Sequence, residues 1–568
     1  MWKKILLIIL FIIILLPLFV WLAAPKYANS KLKSLLEKAD TASYSYLELD
    51  FWNGNLVLHD IYLHDTTGNL SAQPVQLSLD RLAIKGVDLW RAYREKHLVI
   101  DSIILGRGFA YVPLTGKDTS AHDNKPLKLP IHQIAVNHLQ IDSIGIDLAL
   151  NNSNLNERFA GVINFKVDSL RIPLNRDAEL MYKNTTLRIS NIYAQPKKSL
   201  AWFTSDSLVY NGLANQLYMH GFKMRQRLDQ AHYAKHFGFD KVHIALDVYR
   251  LQINGLPKKL GSLQEGVHLP YISVFGMQAN LFKDRRLPHP SDEKKFIIEQ
   301  LSELEIPIRI DTIDIIDGQL QFNENWRDDL VPGRLLLSDI QARMLNLNNT
   351  GPTENGNWTT INADITLYQR LKLDVDWRFD LRHNGIPFTL DLGIGRTPFS
   401  VLNPFTENTV GLRFKKGNLL GGRLFVEGNK KSGAGTLELY YNDMKVEFLN
   451  KEDHHTNIVH WAEGGLANLV VRNNNERGKR ERLGIVYAEP LLDRAIFSFA
   501  VRMFFSGFKD IALSSNNEAK VAERGMTYLP MPKASKEIKA EEAEKAEKQA
   551  EKEARRAARK AKRAAKND

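Results

Sequence analysis

Three histidines in one polar segment are the residues whose types best fit metal chemistry. His454, His455 and His460 lie in the stretch KEDHHTNIVH, next to Asp453. Imidazole nitrogens and carboxylate oxygens are the ligands that Zn²⁺ takes when cysteine is absent. Side chains share a helical face only when they are three or four residues apart, and these three histidines are not spaced in that way. We therefore expect surface histidines in a loop and no metal site.

The carboxylates of Asp311, Asp314 and Asp317 form a second candidate group. Clustered carboxylates bind divalent cations or exchange protons with a substrate. The segment alternates like a strand, however, and in a strand Asp311 and Asp314 point to opposite faces. The sequence has no G-x-x-x-x-G-K-S/T, H-E-x-x-H or G-x-S-x-G motif, and it has no cysteine. We expect neither an enzyme nor a bound cofactor.

The first element that would position any of these residues is a membrane segment. Residues 5–24 carry no charge and are flanked by lysines on both sides, which leaves their orientation open. Twenty residues of helix span about 30 Å, the thickness of the hydrocarbon core of a bilayer. A cleaved signal peptide is the alternative, but its apolar region is usually about 7–15 residues long. We predict a transmembrane anchor helix, with these residues in the bilayer: Ile5, Leu10, Leu15, Phe19 and Trp21.

Beyond residue 40 the sequence alternates between apolar and polar residues, as strands with one apolar face do. Residues 361–367 and residues 371–379 are the clearest examples. A short form, apolar-Asp-Ser/Thr-apolar, also recurs at irregular intervals. It indicates a degenerate β repeat rather than a solenoid of fixed period. The alternative is that this short form is simply common in β-strands. The four copies begin at Ile100, Ile141, Val167 and Ile310.

Few helices are expected between the strands. Residues 291–304 carry an apolar stripe at helical spacing. Residues 491–506 are strongly apolar, and we interpret them as a helix that caps one end of the β body. A helix in the membrane interface is the alternative. Residues 516–568 are a charged low-complexity tail, for which we expect a partly helical, partly disordered state in solvent.

Charge and composition limit the partners of the chain. The formal net charge is +11, and residues 533–568 contribute +5 of it through 13 Lys/Arg and 8 Asp/Glu. The remaining +6 is a mild excess for 532 residues, so we expect no specific nucleic-acid partner. The basic end of the tail is suited to anionic lipid headgroups.

Three segments carry a family resemblance. The first starts at residue 47 with LELDFWNGNLVLHDIYLHD and continues with LSLDRLAIKGVDLW. The second, residues 287–324, contains EIPIRIDTIDIIDGQLQFNE, and the third covers residues 398–450. Each is degenerate alone, but their order behind an N-terminal apolar segment resembles the AsmA-like family of Gram-negative envelope proteins. These are relatives of the bridge-like lipid-transfer proteins. The charged tail is not part of the pattern.

The resemblance implies a single-pass inner-membrane protein with its body in the periplasm of a Gram-negative bacterium. The body would be mainly β: an elongated, curled antiparallel sheet that forms an apolar groove. Its partners would be the inner membrane and phospholipids or other acyl lipids, in phospholipid transport and outer-membrane biogenesis or integrity. The expected domains are an anchor (1–26), an N-terminal AsmA-like β-groove region (27–280), a C-terminal AsmA-like β region with a capping helix (281–515) and the tail (516–568).

Large apolar side chains on the alternating strands and nearby turns are the candidate groove lining. Burying one CH₂ group contributes about 0.8 kcal/mol, so such a groove would hold lipid without any catalytic residue. The alternative is a non-catalytic envelope scaffold, an assembly factor for outer-membrane proteins that binds envelope proteins through its strand edges. The candidate lining residues are Phe51, Trp52, Leu79, Trp90, Phe322, Trp377 and Phe379.

Overall fold

A computed structural model describes most of the chain, and 65% of the described residues lie in strands and 14% in helices. The prediction of a mainly β protein is confirmed. The predicted anchor residues Ile5, Leu10, Leu15, Phe19 and Trp21, the three histidines and the charged tail beyond residue 526 lie outside the described residues. No helix within the described residues is long and apolar enough to cross a membrane. The described residues are 26–27, 30, 42–65, 75–114, 132–150, 157–173, 182–196, 199–256, 266–289, 301, 304, 306–326, 331–349, 358–381, 385–449, 471–478, 481–490, 496–513 and 515–526.

The chain forms two compact units. Unit 1 comprises the described residues of Met1–Asp229 and Ile244–Leu256, and unit 2 those of Gln230–His243 and Pro257–Asp568. The strands associated with unit 1 are β1 (Ala42–Ser43), β2 (Tyr46–Asp50), β3 (Asn55–Asp65), β4 (Val75–Asp88), β5 (His97–Leu105), β6 (Gly108–Leu114), β7 (Gln133–Leu150), β8 (Glu157–Pro173), β9 (Thr185–Gln195), β10 (Ala201–Asn211), β11 (Gln216–Gln226) and β12 (His243–Asn254), with helix α1 (Leu89–Glu95) between β4 and β5.

Unit 2 holds the remaining described strands and most of the described helices. Its strands are β13 (Val267–Asp284), β14 (Ile308–Asn325), β15 (Gly333–Asn348), β16 (Thr359–Leu367), β17 (Leu371–Phe379), β18 (Phe388–Ile394), β19 (Thr397–Pro398), β20 (Leu412–Gly428), β21 (Gly433–Phe448) and β22 (Gly484–Ala488). Its helices are α2 (Gln230–Phe237), a 3₁₀ turn (Phe399–Leu402), α3 (Asn403–Val410), α4 (Ile496–Leu513) and α5 (Asn517–Glu523).

The prediction of a wholly antiparallel sheet is wrong, because three pairs of neighbouring strands are parallel. In unit 1, β5 and β6 both run antiparallel to β4 and parallel to β7. In unit 2, β13 and β14 are parallel. A parallel neighbour requires a connection long enough to return to the starting end. Residues 115–132 and residues 285–307 supply that length, whereas the remaining neighbours described here pair as antiparallel strands.

One copy of the recurring apolar-Asp-Ser/Thr-apolar form coincides with a β-bulge in unit 1. Ser143 adopts a left-handed φ of 48°, and the register with β8 shifts between Ile141 and Ile144. The extra residue puts two apolar side chains three positions apart on one face, so Ile141 and Ile144 pack in the same cluster. Ser169 (φ 55°) is also left-handed, and Val167 and Leu170 of that copy pack in one cluster, but the register with β7 does not shift there. Bulges bend strands and increase their twist, so each one curves the sheet locally.

Helix α4 covers the apolar face of the last strands of unit 2. Its side chains Phe499, Met503 and Ile511 are buried in one cluster with Leu437 of β21 and Val486 of β22. The prediction that this segment is a helix capping the β body agrees with that packing. The helix ends at Leu513 rather than at residue 506.

Candidate functional site

An uninterrupted apolar face crosses the sheet of unit 1 from β3 to β12. One row of cross-strand neighbours contains no charged residue and takes one side chain from each strand it crosses. Eight strand steps at about 4.8 Å give this row a length of about 38 Å. The row is Leu58, Leu82, Leu105, Ile141, Phe165, Leu187, Tyr210, Leu217 and Ile253.

A second row lies beside the first on the same face. It includes Gly108 at the β6 position and is otherwise made of branched aliphatic side chains and methionine. Its members are Ile61, Leu79, Gly108, Ile144, Ile163, Ile189, Leu208, Met219 and Leu251. The left-handed residues Asp60 and Ser143 lie between the row members of β3 and of β7, which are three positions apart, and so allow both members to face the same side.

The two ends of this face differ in burial. In the first strands, Leu58, Ile61, Leu79 and Ile144 are buried in a small cluster. In β9–β12 none of the eight row residues is buried; all are half-buried. None of them belongs to a core cluster formed by the described residues. We call these eight residues the open strip: Leu187, Ile189, Leu208, Tyr210, Leu217, Met219, Leu251 and Ile253.

Aromatic side chains continue the open strip. The rings of Phe203 and Phe222 stack on β10 and β11 with their centroids 5.9 Å apart. Partial burial raises the pKa of the Tyr210 phenol, with a smaller contribution from Tyr182, so Tyr210 stays neutral at physiological pH. The strip and these two rings therefore present neutral side chains and no charge to a ligand.

The opposite face of the same strands is polar. On β11 and β12, Arg225 donates two hydrogen bonds from one nitrogen to the carboxylate of Asp247, at 2.7 and 2.9 Å. On the same two strands, Tyr218 donates to Gln216 and Gln252 donates to Asn254. The sheet of unit 1 is thus amphipathic, with one face suited to water and the other to an apolar ligand.

The sequence-predicted lining residues do not lie at one site. Leu79 belongs to the apolar face of unit 1, in its buried end. Phe51 and Trp52 lie in the turn between β2 and β3, and Trp90 lies on α1 with 68% of its surface exposed. Three further residues are in unit 2: Phe322 is half-buried in β14, Trp377 packs against the core that α4 covers, and Phe379 is buried in that core.

Sequence reasoning missed the open strip. A period-two signal for it exists in residues 185–190, where Leu187 and Ile189 alternate with Thr186, Arg188 and Ser190. On β11 the signal is hidden, because the aromatic residue Tyr218 stands between Leu217 and Met219 and faces the polar side. A single sequence does not indicate which alternating strands are left uncovered.

Unit 2 has a polar cavity of about 370 Å³ on the face away from its core. Arg343 donates to both carboxylate oxygens of Asp314, at 2.7 and 2.8 Å, and Tyr271 donates to the same group at 3.0 Å. The hydrogen bond from Arg343 is the main reason that the pKa of Asp314 lies below its usual value. A carboxylate held ionised in this way does not act as a general acid at neutral pH.

A second set of charged side chains in unit 2 is buried around Asp240. Lys283 and Arg285 contact the Asp240 carboxylate at 3.1 and 3.0 Å, and Arg285 also pairs with Glu324 at 2.7 Å. The two cations balance the two anions, so the cluster joins the segment after α2 to β13 and β14. Within the described part of the chain, no group of three or more His, Asp or Glu side chains is placed to hold a metal ion.

Comparison with known proteins does not identify the chain. No protein-family model matches it, and no curated protein matches it. The open strip and the sequence resemblance are therefore the grounds for a functional proposal.

Proposed function

We propose that the protein is a lipid-handling envelope protein that binds acyl chains along the apolar face of unit 1 and conducts them across the sheet. The observation that carries this proposal is the open strip: eight apolar side chains in two cross-strand rows that remain half-buried outside every described core cluster. Water-accessible apolar surface of this extent is normally covered by a ligand, a membrane or a partner.

The energetics of the strip suit lipid rather than a small polar ligand. Each CH₂ group moved from water to an apolar surface contributes about 0.8 kcal/mol. About ten methylenes laid along the strip would contribute on the order of 8 kcal/mol, which competes with the bilayer that supplies the chain. The headgroup would remain in water, because the strip offers no charge to pair with it.

The proposed setting follows from residues 5–24 and from the resemblance to AsmA-like proteins. The apolar segment would anchor the chain in the inner membrane of a Gram-negative bacterium, with the body in the periplasm. Acyl chains on unit 1 would then contribute to phospholipid transport and to outer-membrane biogenesis or integrity. No catalytic group is needed, because such transfer breaks no covalent bond.

The test is photo-crosslinking with the full-length chain in cells. A photo-reactive benzoylphenylalanine replaces Leu217 on the strip in one variant and Tyr218, the next residue on the opposite face, in the control. Leu187 and Arg188 give a second matched pair on β9. We expect lipid adducts at Leu217 and Leu187, detected by mass spectrometry, and far fewer at the two controls.

Two outcomes would contradict the proposal. Equal labelling of both faces would show that lipid has no preference for the strip. Protein adducts without lipid adducts at Leu217 and Leu187 would favour the alternative function, an envelope scaffold that covers the strip with a partner protein. Lipid extraction from the purified full chain provides an independent measurement of the cargo.

A further inference from the structure

Exposed large apolar side chains collect at one rim of unit 1. This rim is formed by the turn between β2 and β3, by α1 between β4 and β5, by residues 182–184 before β9, and by the turn between β10 and β11. Strand pairing places these segments at the same end of the sheet: His97 pairs with Gln133, Gln133 with Pro173, and the first residue of β9, Thr185, with Val167, six residues short of Pro173. Each segment has at least one such side chain, and the set is Trp52, Leu89, Trp90, Tyr93, Tyr182 and Leu213.

The exposure at this rim is large. Tyr93 is 84% exposed, Leu213 is 81% exposed and Trp90 is 68% exposed. Isolated exposed apolar residues are ordinary, but six of them at one end of a sheet are not. Six strand steps separate β3 from β10, so the row is about 29 Å long at about 4.8 Å per step.

Well-formed turns hold these side chains outward. Asp50 accepts a hydrogen bond from the backbone N–H of Asn53, and Gly54 accepts one from the N–H of Val87 at 3.0 Å. Gly54 has a φ of 62°, and a Cβ there would lie 2.3 Å from the Val87 carbonyl oxygen. Asp88 caps α1 by accepting from the N–H of Arg91 at 2.8 Å. The exposed rings in the turn between β2 and β3 and on α1 therefore belong to segments whose backbone is held by hydrogen bonds.

The residue types fit a lipid interface better than a protein pocket. Tryptophan and tyrosine have an apolar ring with one polar atom and favour the headgroup region of a bilayer. The basic side chains Arg91, Arg94 and Lys96 lie on or next to α1, among Leu89, Trp90 and Tyr93, and Lys183 is next to Tyr182. Arg91 also contacts Asp88 and Glu95 in exposed ion pairs, which are weak.

We propose that this rim docks into the headgroup interface of a phospholipid bilayer that contains anionic lipid. The apolar tips would enter the interface and the basic side chains would contact the anionic headgroups. Separate tips distributed over about 29 Å match a soft, deformable surface, whereas a protein partner would require a contiguous patch.

Docking at this rim also deepens the proposed function. The outer row of the open strip lies within two residues of the strand ends at the same rim. Leu187 is two residues after the start of β9 at Thr185, Tyr210 directly precedes the end of β10 at Asn211, and Leu217 directly follows the start of β11 at Gln216. A docked rim would let an acyl chain pass from the bilayer to the strip without crossing water. This last step rests on the proposed function, whereas the docking itself does not.

The natural absence of cysteine allows a direct test. Tyr93→Cys and Leu213→Cys are each labelled with an environment-sensitive NBD fluorophore in the full-length chain. The matched control is Tyr249→Cys on β12, which is 71% exposed but lies away from the strand ends. Each protein is reconstituted into phosphatidylcholine vesicles with and without phosphatidylglycerol, and nitroxide-labelled phospholipid serves as the quencher.

We expect a blue-shifted emission and strong nitroxide quenching at positions 93 and 213, more so with phosphatidylglycerol, and neither effect at position 249. The double variant Trp90→Asp/Tyr93→Asp changes only exposed side chains and should abolish the quenching at position 213. Labels at 93 and 213 that behave like the label at 249 would overturn the proposal. So would crosslinking of these positions to a protein in cells without quenching by lipid. Lipid adducts at Leu217 in that case would leave the proposed function standing, so the two failures are distinguishable.

Discussion

The apolar faces of the two units are built from the same kind of strand but differ in how far they are buried. In unit 2, Leu424, Leu437 and Val486 are buried beneath α4 in a large cluster. In unit 1, Leu217 and Met219 alternate in the same way yet stay half-buried. An amphipathic strand therefore indicates only that one face avoids water. Whether that face becomes a core or a binding surface depends on the element that covers it.

The sharpest contrast in stability is expected at Leu437. Leu437→Ala removes a side chain that is 0% exposed and packed against β22 and α4, so the change leaves a cavity. We expect a loss of about 2–5 kcal/mol in the local free energy of unfolding. Hydrogen exchange of the β21 backbone, followed by mass spectrometry, measures it. Glu438→Ala, one residue along on the opposite face, is the control and should change exchange little.

The next largest loss of stability is expected at the outer edge of β22 in unit 2. The last strand, β22, is bonded along its outer edge by helix side chains: Asn517 Nδ2 donates to the Ile485 carbonyl at 2.7 Å, and Ser506 Oγ donates to the Tyr487 carbonyl. Asn517→Ala leaves a part-buried carbonyl without its donor and should cost about 1–3 kcal/mol.

Faster hydrogen exchange in residues 484–488 is the expected readout of the Asn517→Ala variant. Unchanged exchange there would show that the edge does not depend on the helices. It would also reopen this strand as a site for pairing with another protein, as the scaffold alternative requires.

Leu217 tests the open side of the comparison. Leu217→Ala removes a half-buried side chain that belongs to no described core cluster, so we expect a cost of only about 1 kcal/mol in the exchange of β11. The same variant should reduce the yield of lipid adducts at Leu187, which lies two strands away in the same row of the strip. A stability loss as large as that of Leu437→Ala would mean that the strip is an ordinary closed core, and the proposed function would fail with it.

Local patterns in the sequence predict which segments form strands. They do not predict which faces of those strands are covered by another element. The alternation in residues 361–367 and 371–379 matches β16 and β17. The bulge at Ser143 is not predicted, because a left-handed φ in mid-strand depends on the register with β8. The predicted end of the last long helix at residue 506 is wrong because Gly507 stays helical, where its missing Cβ admits Leu437 at close range.

The candidate site depends even more on distant partners. Trp377 and Leu217 lie on strands with similar patterns, yet Trp377 packs against a core covered by a helix more than a hundred residues later in the chain. The predicted boundary between residues 280 and 281 lies inside β13, whose parallel partner begins at Ile308. The sequence composition predicts neither the covered core at Trp377 nor the continuation of β13 through the predicted boundary. Both arise from contacts between segments far apart in the sequence.

The smallest expected effect concerns the polar face of unit 2. The hydrogen bond from Arg343 lowers the pKa of Asp314 in the folded state, so the pair stabilises the fold above the ordinary aspartate pKa of about 3.9. That contribution is lost as the pH falls through the lower, folded-state pKa. Arg343→Gln should raise the pKa of Asp314 and cost about 0.5 kcal/mol at neutral pH, because the Arg343 side chain is 61% exposed and its interaction is screened.

Acid unfolding of unit 2, followed by hydrogen exchange in β14 and β15, measures this change. The variant should be less protected than the parent at neutral pH by this small cost, and the gap between the two should close as the pH falls through the folded-state pKa of Asp314. Lys372→Gln, on the same polar face but without a hydrogen bond to Asp314, is the control. Equal protection of parent and variant at neutral pH would show that the Arg343–Asp314 pair contributes nothing to the fold. The contrast between the units would then lie wholly in their apolar faces.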